Sequence, residues 1–514
     1  MAMDVTSLMR KAAKLNADRT AVVHGDRRLN FSEAWDRSVR LANALIDMGM
    51  LPGDRIAILE DNCIESSDIF QAAAIANLVR VPLYARNSAE AHTHMMGRTG
   101  CKALILAEKY LPEVEDIIAD MPELKHVIVR DAAYEAWLAR QSPVDPLIPA
   151  HEDDIYIIRH TGGTTGNPKG IAYSHRGWNA VCREWFYIFP QVNPGDACLH
   201  VGPISHGSGY QYLPVWLAGG CNVMMDHFEV DEAMRILEQE RIAFALLVPA
   251  MLASITRHCD AGAKDFSALK CVLTGTGPIQ DSTILASRKL FGDILYQGYG
   301  QTEISAIAFM GPQQWFATPE GENPLRACGM VLPFANVEIW DEDNKPLPLG
   351  EPGEIVAKSD GRSAMFWDDD EAMSERIVDG WVKTGDIGRL DRYGYLYLLD
   401  RSDDKIISGG FNIWPSELEN VIARHPAVLE VVVFGVPHEK WGETPMAACV
   451  VKAAGDVSER EIVDLVAEEL GSYKKPGRVE IRTDPLPRSP IGKIRRRDMR
   501  EPFWVGYDRR IAGA

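Results

Sequence analysis

The sequence predicts an α/β fold: a large amino-terminal domain of layered α/β subdomains with a β-rich module, followed by a small α+β carboxy-terminal domain. The chain has 514 residues, which is more than one hydrophobic core usually fills. Short apolar runs alternate with helical patterns over the first 300 residues, as in α/β layers with mostly parallel sheets. After residue 400 the pattern changes again, which indicates a second domain.

The amino-terminal pattern predicts individual elements. Apolar runs rich in Ile, Val and Leu predict buried strands, whereas apolar residues at 3.6-residue spacing predict helices. The predicted strands cover residues 55–59, 103–106, 126–129 and 155–158, and the predicted helices cover 32–48 and 231–240.

The carboxy-terminal half is divided by glycines. Eight Gly and Pro residues between 350 and 394 separate short strands, which predicts the β-rich module. Beyond residue 401 the pattern predicts a helix at 415–424 and strands at 428–434 and 447–452. Ser458 and Glu461 form a capping-box pattern for a helix that ends at Gly471.

Composition excludes several classes of protein. The net charge of -19 disfavours nucleic acid as the main partner. Nine scattered cysteines without a C-x-x-C pair predict reduced thiols and a cytoplasmic location. No run approaches the ~20 apolar residues of a membrane span, and the first residues lack the apolar segment of a signal peptide. We therefore expect small-molecule partners, and we leave the oligomeric state open, a homodimer being one option.

A loop rich in glycine and threonine follows the apolar run 155–158. It contains Thr161, Gly162, Gly163, Thr164, Thr165, Gly166 and Lys169. Glycines let backbone N–H groups approach phosphate oxygens closely, and the hydroxyls and the lysine add donors. The loop lacks the Gly-Lys-Ser/Thr ending of a Walker A motif, because Pro168 precedes the lysine and Gly170 follows it.

This segment resembles the phosphate loop of the adenylate-forming superfamily, and the whole chain resembles its acyl- and aryl-CoA synthetase branch. The usual family form is Tyr-Thr-Ser-Gly-Thr-Thr-Gly-x-Pro-Lys-Gly. Here His160 replaces the tyrosine and Gly162 replaces the serine, so one hydroxyl is lost. The resemblance implies ATP, Mg²⁺ and coenzyme A as cofactors or co-substrates.

Further motifs follow in family order. The resemblance implies that Tyr299 lies on adenine, that Thr302 contacts the α-phosphate, and that Glu303 holds the metal. Upstream, it implies that an adenine-binding turn is formed by Gly275, Thr276 and Gly277. Asp386 of Thr-Gly-Asp and Arg401 are implied to bind the ribose.

The family also implies a moving carboxy-terminal domain. Asp403 resembles the family's hinge residue, so we expect an adenylation domain at 1–402 and a mobile lid domain at 403–514. Gly409 and Gly410 resemble the turn that lines the pantetheine tunnel. Lys493, in Pro-Arg-Ser-Pro-Ile-Gly-Lys, resembles the lysine that bridges the substrate carboxylate and the α-phosphate.

The acceptor and the acid are less sharply predicted. Trp441, Tyr473 and Lys474 lie where the CoA-ligase branch contacts the CoA nucleotide, and such side chains suit a phosphoadenosine. His206 resembles the histidine that borders the acyl pocket. Aromatic residues that could line the pocket or belong to the core are Trp185, Phe186, Tyr187, Tyr210 and Tyr212.

No basic residue stands out in the sequence as a reader of a second carboxylate, so we expect a monocarboxylic acid with a medium or large apolar body. The predicted reaction converts the acid and ATP to acyl-AMP and pyrophosphate, and then transfers the acyl group to CoA. An acyl-AMP ligase that loads a carrier protein is the alternative, and a non-catalytic nucleotide-binding relative is a third. Lys493 and Glu303, both present, argue against that third reading.

Overall fold

A computed structural model describes residues 4–85, 87–161, 168–277, 279–401, 404, 406–408, 411–453, 455–488 and 494–505. The side chains of residues 400, 401, 411 and 412 are outside this description. Within the described residues, no helix combines the length and the apolar character needed to cross a bilayer.

The helices of the described residues are mostly amphipathic and pack on the faces of the sheets. They are α1 (Val5–Leu15), α2 (Phe31–Asp47), α3 (Ile64–Ile75), α4 (Ala89–Thr99), α5 (Leu111–Ala119), α6 (Tyr134–Ala139), α7 (His175–Ile188), α8 (Gly209–Leu217), α9 (Val230–Gln239), α10 (Pro249–Arg257), α11 (Asp281–Phe291), α12 (Pro312–Trp315), α13 (Asp370–Arg376), α14 (Pro415–Ile422), α15 (Glu459–Leu470) and α16 (Arg496–Trp504).

Most strands are short, and the central parallel strands are buried on both faces. They are β1 (Thr20–His24), β2 (Arg27–Asn30), β3 (Arg55–Leu59), β4 (Val79–Pro82), β5 (Cys101–Ala107), β6 (His126–Arg130), β7 (Ile155–Thr161), β8 (Lys169–Ser174), β9 (Ala197–His200), β10 (Cys221–Met224), β11 (Ile242–Leu246), β12 (Cys271–Gly275), β13 (Leu295–Tyr299), β14 (Ala308–Met310), β15 (Gly329–Val331), β16 (Ala335–Trp340), β17 (Gly353–Ser359), β18 (Met365–Phe366), β19 (Ile377–Val378), β20 (Trp381–Leu390), β21 (Tyr395–Arg401), β22 (Ile406–Ser408), β23 (Phe411–Ile413), β24 (Val428–His438), β25 (Gly442–Val451) and β26 (Arg478–Arg482).

Two large mixed sheets form the amino-terminal part. One has the strand order β18-β8-β7-β4-β3-β5-β6, and it is parallel except where β8 pairs with β7 and β18. In the other, β1, β10, β9, β11, β12 and β13 are parallel neighbours. Parallel strands buried on both faces require continuous apolar runs, which is why these strands could be predicted from the sequence.

The β-rich module is not a separate sheet. Antiparallel pairing continues from β13 through β14, β15, β21 and β20 to β17 and β16, so the module extends the second large sheet. It also begins earlier than residue 350, because β16 starts at Ala335. Three strands separate β13 from β20 in this order, and a side-chain contact between Tyr299 at the end of β13 and Asp386 of β20 brings two predicted nucleotide motifs together.

The carboxy-terminal residues form a small α+β unit with its own core. Its sheet has the order β23-β22-β25-β24, with β26 parallel to β25. Helices α14 and α15 enclose a hydrophobic cluster that includes Ile413, Leu418, Val433 and Ile462. The predicted capping box of α15 is present, since the Ser458 side chain accepts from the Glu461 backbone and Glu461 accepts from the Ser458 backbone, and α15 ends before Gly471.

The buried residues confirm the interpretation of the cysteines as small apolar side chains at eight of nine positions. All nine cysteines are free, and Cys259 alone is exposed. Burial raises the pKa of the Cys182 thiol well above its ordinary value, so this thiol stays protonated and chemically inert at neutral pH.

Candidate active site

The predicted phosphate loop connects the two strands of a β-hairpin. Thr161 at the end of β7 pairs with Lys169 at the start of β8, and His160 pairs with Gly170. Residues 162–167, which include the predicted Gly162, Gly163, Thr164, Thr165 and Gly166, lie outside the described residues. This pairing holds the two strand ends that the loop joins next to each other.

Gly170 packs closely, so a larger residue there would require its neighbours to shift. A Cβ atom there would lie 3.1 Å from Cγ2 of Ile158 and 3.2 Å from Cβ of Trp367. The backbone N–H of Trp367 also donates to the Gly170 carbonyl over 2.8 Å. These contacts anchor the second strand of the hairpin.

His160, the family departure, is buried at the base of this hairpin. It is 2% exposed, and neither ring nitrogen has a hydrogen-bond partner among the described residues. Burial, helped by nearby His94, lowers the pKa of His160 to about 4. The ring is therefore neutral at physiological pH and adds no charge to phosphate binding.

The segment from Tyr299 to Glu303 forms a tight turn at the carboxyl end of β13. Gly300 has no room for a side chain, because a Cβ atom would lie 2.5 Å from the backbone nitrogen of Ala306. The Gln301 N–H donates to Ile304, and the Ser363 N–H donates to the carbonyl of Glu303 over 2.8 Å. The turn thus holds the half-buried Thr302 and Glu303 in fixed positions beside residue 363.

Tyr299 and Asp386 are joined directly. The Tyr299 hydroxyl donates to Oδ2 of Asp386 over 2.7 Å, and the Gln301 side-chain amide donates to the same oxygen over 2.7 Å. Gln301 also donates to the Thr384 carbonyl over 2.7 Å. Burial, together with the carboxylate of Asp386, raises the pKa of Tyr299 well above its ordinary value, so the phenol remains a donor.

Asp386 is held by its own strand as well. The Thr384 hydroxyl donates to the Ile355 carbonyl over 2.7 Å and accepts from the Asp386 N–H over 3.1 Å. In the register of β20 and β21, residue 386 lies opposite residue 401, so Asp386 and the backbone of Arg401 are neighbours. The side chain of Arg401 lies outside the described residues.

The turn formed by Gly275, Thr276 and Gly277 follows β12, next to β13. Gly275 opposes Gly298 in the parallel register, and a Cβ atom on Gly275 would lie 2.8 Å from the Gly298 carbonyl oxygen. Thr276 has a φ of +65°, which is a strained conformation for a β-branched residue. Its methyl group faces Gly207 of the turn that carries His206.

His206 makes polar contacts with Arg159 of β7 and with Tyr84, which follows β4. Its Nδ1 is 3.0 Å from Nη2 of Arg159 and 3.2 Å from the Tyr84 hydroxyl. Because a guanidinium only donates, Nδ1 accepts, and the proton of a neutral His206 ring is on Nε2. The turn needs Gly209, since a Cβ atom there would overlap the Ile204 carbonyl at 2.0 Å.

The aromatic residues near His206 divide into two groups. Trp185 and Tyr212 are buried, and the Tyr212 hydroxyl accepts from Gln71 over 2.7 Å, so Tyr212 is a core residue. Phe186 and Tyr187 are 45% and 57% exposed, so they do not line an enclosed cavity. Tyr210 stacks on Trp178 and lies under Arg159, so Tyr210 is the aromatic residue of the predicted set that is next to His206 through Arg159.

Glu303 fits the role of a metal ligand. No described cation or hydrogen-bond donor contacts its carboxylate, and it lies in the same turn as Thr302. Mg²⁺ is commonly bound through one or two carboxylates together with substrate phosphates. A carboxylate without a described ion-pair partner, in the same turn as Thr302, matches that pattern.

The predicted CoA-side residues lie on the carboxy-terminal unit. Trp441 is 46% exposed and stacks on His438 with ring centroids 4.8 Å apart. The neighbouring Gly442 pairs with Ser408, so Trp441 lies near the last described residue before the predicted Gly409 and Gly410, which are outside the described residues. Tyr473 is 51% exposed, while Lys474 forms an ion pair with Glu417 and is less accessible than expected.

Asp403 and Lys493 also lie outside the described residues, but their neighbours are joined. Asp404 forms ion pairs with Arg496 over 2.8 Å and with Arg500 over 3.1 Å. Arg496 also pairs with Glu419 over 2.7 Å. The residue next to the predicted hinge is thus attached to the helix that follows the predicted catalytic lysine.

Comparison with known proteins identifies the family. The family model described as AMP-binding enzyme matches residues 9–367, and the AMP-binding enzyme C-terminal domain matches residues 417–493. The chain belongs to the AMP-binding enzyme family. The predicted superfamily and the α/β fold class are therefore confirmed, and so is the prediction of an AMP-forming acid–thiol ligase.

Relatives cover nearly the whole chain. The chain is 32% identical to the fatty acid–[acyl-carrier-protein] ligase ScoC of Streptomyces coeruleorubidus, over 96% of this chain and 95% of that protein. It is also 32% identical to the medium/long-chain-fatty-acid–CoA ligase FadD8 of Mycobacterium tuberculosis, over 97% and 90%. The amide bond synthetase McbA of Marinactinospora thermotolerans has a structure with TM-score 0.87 and 26% identity, over 97% and 100%.

Within this AMP-binding enzyme, two features escaped the sequence-based prediction. Gln301, which the motif includes, binds the same Asp386 oxygen as Tyr299. Arg159 lies in an apolar strand and points to His206. An arginine within a run of Ile and Tyr is the sequence signal that could have indicated Arg159.

Proposed function

We propose that the enzyme activates a carboxylic acid with ATP and transfers the acyl group to coenzyme A. The observation that carries the proposal is the unit of Tyr299, Gln301 and Asp386, which joins two nucleotide motifs beside the turn that ends at Glu303. A buried carboxylate bonded to a tyrosine at the carboxyl end of a strand is suited to a ribose and a purine.

In the first half-reaction, a carboxylate oxygen attacks the α-phosphorus of ATP. A bond forms between that oxygen and phosphorus, the bond to the bridging oxygen breaks, and pyrophosphate leaves with its electron pair. Two anions must approach, so fixed positive groups and donors are needed. We assign this role to Lys493 and to the hairpin loop from Thr161 to Lys169. We assign the α-phosphate contact to Thr302.

Glu303 would hold Mg²⁺, which would neutralise charge on the departing pyrophosphate. His206, with its proton on Nε2, would donate a hydrogen bond toward the acyl group from the pocket wall. Gly275, Thr276 and Gly277 would line the adenine, and Asp386 with Arg401 would bind the ribose. These residue roles extend the family resemblance to the positions of this chain.

In the second half-reaction, the thiol sulfur of CoA attacks the acyl carbonyl. The new carbon–sulfur bond forms, AMP leaves, and the thiol proton is released. In the first step Lys493 would lie next to the acyl carbonyl, where the thiol must later approach. We therefore propose that residues 403–514 rotate about Asp403, so that the predicted Gly409–Gly410 turn takes the place of Lys493. Trp441, Tyr473 and Lys474 would then meet the nucleotide of CoA.

A carrier-protein acceptor is the second candidate. ScoC and FadD8 are each 32% identical to this chain, but the name of ScoC gives an acyl-carrier protein as acceptor and the name of FadD8 gives CoA. The acceptor thus cannot be taken from overall similarity. The exposed Trp441, next to the Gly442 that pairs with Ser408, favours CoA, because a solvent-facing indole suits an adenine ring.

The test is ATP–pyrophosphate exchange over a panel of acids, followed by thioester formation with CoA or with a phosphopantetheinylated carrier protein. Exchange with at least one acid and thioester formation with CoA are expected. Exchange without CoA thioester, combined with loading of the carrier, would replace CoA by the carrier. Absence of exchange with every acid would contradict the catalytic assignment.

A further inference from the structure

Arg159 brings a positive charge into the protein interior beside His206. The residue is 1% exposed. Its Nη2 donates to Nδ1 of His206 over 3.0 Å, whereas Nε and Nη1 have no hydrogen-bond partner among the described residues. No carboxylate of the described residues forms an ion pair with Arg159. The N–H groups at Nε and Nη1 are therefore available to bind an acceptor.

Burial of the charged Arg159 side chain costs free energy that its protein contacts offset only in part. A buried guanidinium without a counter-charge is unfavourable, because its lost hydration is not replaced. The face of the Tyr210 ring, 4.6 Å from the guanidinium carbon, offsets part of this cost. Burial would lower the pKa of Arg159, but neighbouring tyrosines, Tyr210 first, raise it, so the charge is retained.

A second buried arginine, Arg80, lies in the same interior, and its Nε and Nη2 also have no hydrogen-bond partner among the described residues. Arg80 lies between two aromatic faces, with its guanidinium carbon 3.6 Å from the ring centre of Phe70 and 4.6 Å from that of Tyr156. Burial lowers the pKa of Arg80, and the charge of Arg159 lowers it further. Two like charges therefore share this interior region, and neither forms an ion pair with a described carboxylate.

The position of Arg159 restricts what that anion can be. Arg159 lies on β7 two residues before Thr161, on the opposite face of the strand from His160. It contacts His206, which the proposed function places at the wall of the acyl pocket. In that proposal the reacting carboxylate meets Lys493 and the nucleotide, so a further anionic group on the acid is left for Arg159.

We propose that Arg159 binds a second anionic group of the acid substrate, which makes the substrate a short dicarboxylic acid and not a simple monocarboxylic acid. This inference rests on the proposed acid activation and revises the expectation of an apolar monocarboxylate. The buried charge acts on specificity, because an acid with a methyl group in place of the second carboxylate leaves Arg159 uncompensated.

The experiment measures ATP–pyrophosphate exchange with dicarboxylic acids of three to about eight carbons, each paired with the monocarboxylic acid of equal length. The wild-type enzyme is expected to favour the dicarboxylate by about 10- to 100-fold in kcat/KM at one or more lengths, as expected for a hydrogen bond to a charged group. Arg159→Met is expected to abolish that preference, and Arg159→Lys to retain part of it.

Arg176→Met is the matched control, because it removes the same charge at the exposed start of α7, where Arg176 pairs with Glu152 and Asp153. It should leave the preference unchanged. A wild-type preference for monocarboxylates at every length would overturn the inference, and this readout needs no variant. Equal loss of both acids in a folded Arg159→Met enzyme would also overturn it, since Arg159 would then serve the reacting carboxylate.

The two proposals fail in different ways. Exchange with monocarboxylates alone would leave acid activation standing and would remove the dicarboxylate assignment. Absence of exchange with both classes and with every other acid tested would remove both proposals.

Discussion

The Tyr299 hydroxyl donates to Oδ2 of Asp386 over 2.7 Å, although the two residues are 87 positions apart in the chain. The bond connects the carboxyl end of β13 to β20 across the continuous sheet, and Gln301 adds a second donor to the same oxygen. The carboxylate that is proposed to bind ribose is thereby oriented by the residue that is proposed to bind adenine.

Replacing Tyr299 by Phe is therefore expected to weaken ATP binding while the aromatic ring remains. A hydrogen bond to a charged group contributes about 1.5–3 kcal/mol, so the KM for ATP should rise roughly 10- to 100-fold by the same relation. Exchange kinetics with varied ATP measure this, and the KM for the acid should change little.

Tyr397→Phe is the matched control for this change. Tyr397 is also a buried tyrosine whose hydroxyl donates to an aspartate, Asp391, over 3.2 Å, but it lies away from the nucleotide motifs. It should lower stability without changing the KM for ATP. If both variants raised that KM equally, the effect would be one of folding and not of Asp386 orientation.

Replacing Thr276 by Gly is expected to stabilise the protein and to weaken ATP binding. A β-branched residue at a φ of +65° costs about 1–3 kcal/mol of strain, and Thr276→Gly removes it at an entropic cost of about 0.5–1 kcal/mol. The free energy of unfolding should rise by about 1 kcal/mol on balance, while the KM for ATP increases. Asp379→Gly, at a φ of +50° in an exposed turn, should change neither by much.

The two half-reactions should respond to different residues. Lys493→Ala should reduce adenylation strongly and largely spare thioester formation from supplied acyl-adenylate. Asp403→Pro should do the opposite, because a fixed φ restricts rotation. Lys475→Ala, at an exposed lysine, is the control. Equal loss of both half-reactions in Lys493→Ala would contradict the lysine assignment.

Trp441 provides a test of the acceptor. Trp441→Ala removes an exposed ring stacked on His438 and is expected to raise the KM for CoA several-fold, since stacking and cation–π contacts at exposed sites contribute about 0.5–1 kcal/mol each. The KM for ATP should not change. Tyr393→Ala, which removes another exposed ring with an arginine over it, should affect neither constant.

Most of the fold follows from local patterns in the sequence. Buried parallel strands such as Arg55–Leu59 and Cys101–Ala107 are continuous apolar runs, so their positions were predicted within two or three residues. The same holds for the capping box at Ser458 and the stop at Gly471. The union of the β-rich module with the second sheet was not predicted, because pairing of β14, β15 and β21 depends on residues distant in sequence.

The candidate site divides in the same way. Motif residues such as Tyr299 and Asp386 were predicted by type and order, but their hydrogen bond is a tertiary contact that no local pattern encodes. Arg159 was missed because its strand resembles a buried strand in every other respect. The ion pairs of Asp404 with Arg496 and Arg500 were missed for the same reason as the sheet pairing, since 92 residues separate Asp404 from Arg496.

Glu184 on α7 gives the enzyme a defined pH dependence of stability. Burial, with the nearby Asp360 adding repulsion, raises the pKa of Glu184 from 4.5 to about 8. A carboxyl group whose pKa is higher in the folded state binds its proton more tightly there, so its contribution to stability is complete below pH 4.5 and is lost as the pH rises to about 8.

Glu184→Gln mimics the protonated form and should abolish this loss. The variant should therefore unfold at a higher denaturant concentration than the wild type at pH 8.5 and at a similar concentration at pH 5. Glu108→Gln, at an exposed position, should leave the wild-type pH profile intact. A wild-type stability that stays level between pH 5 and 8 would show that Glu184 is ionised in the folded protein.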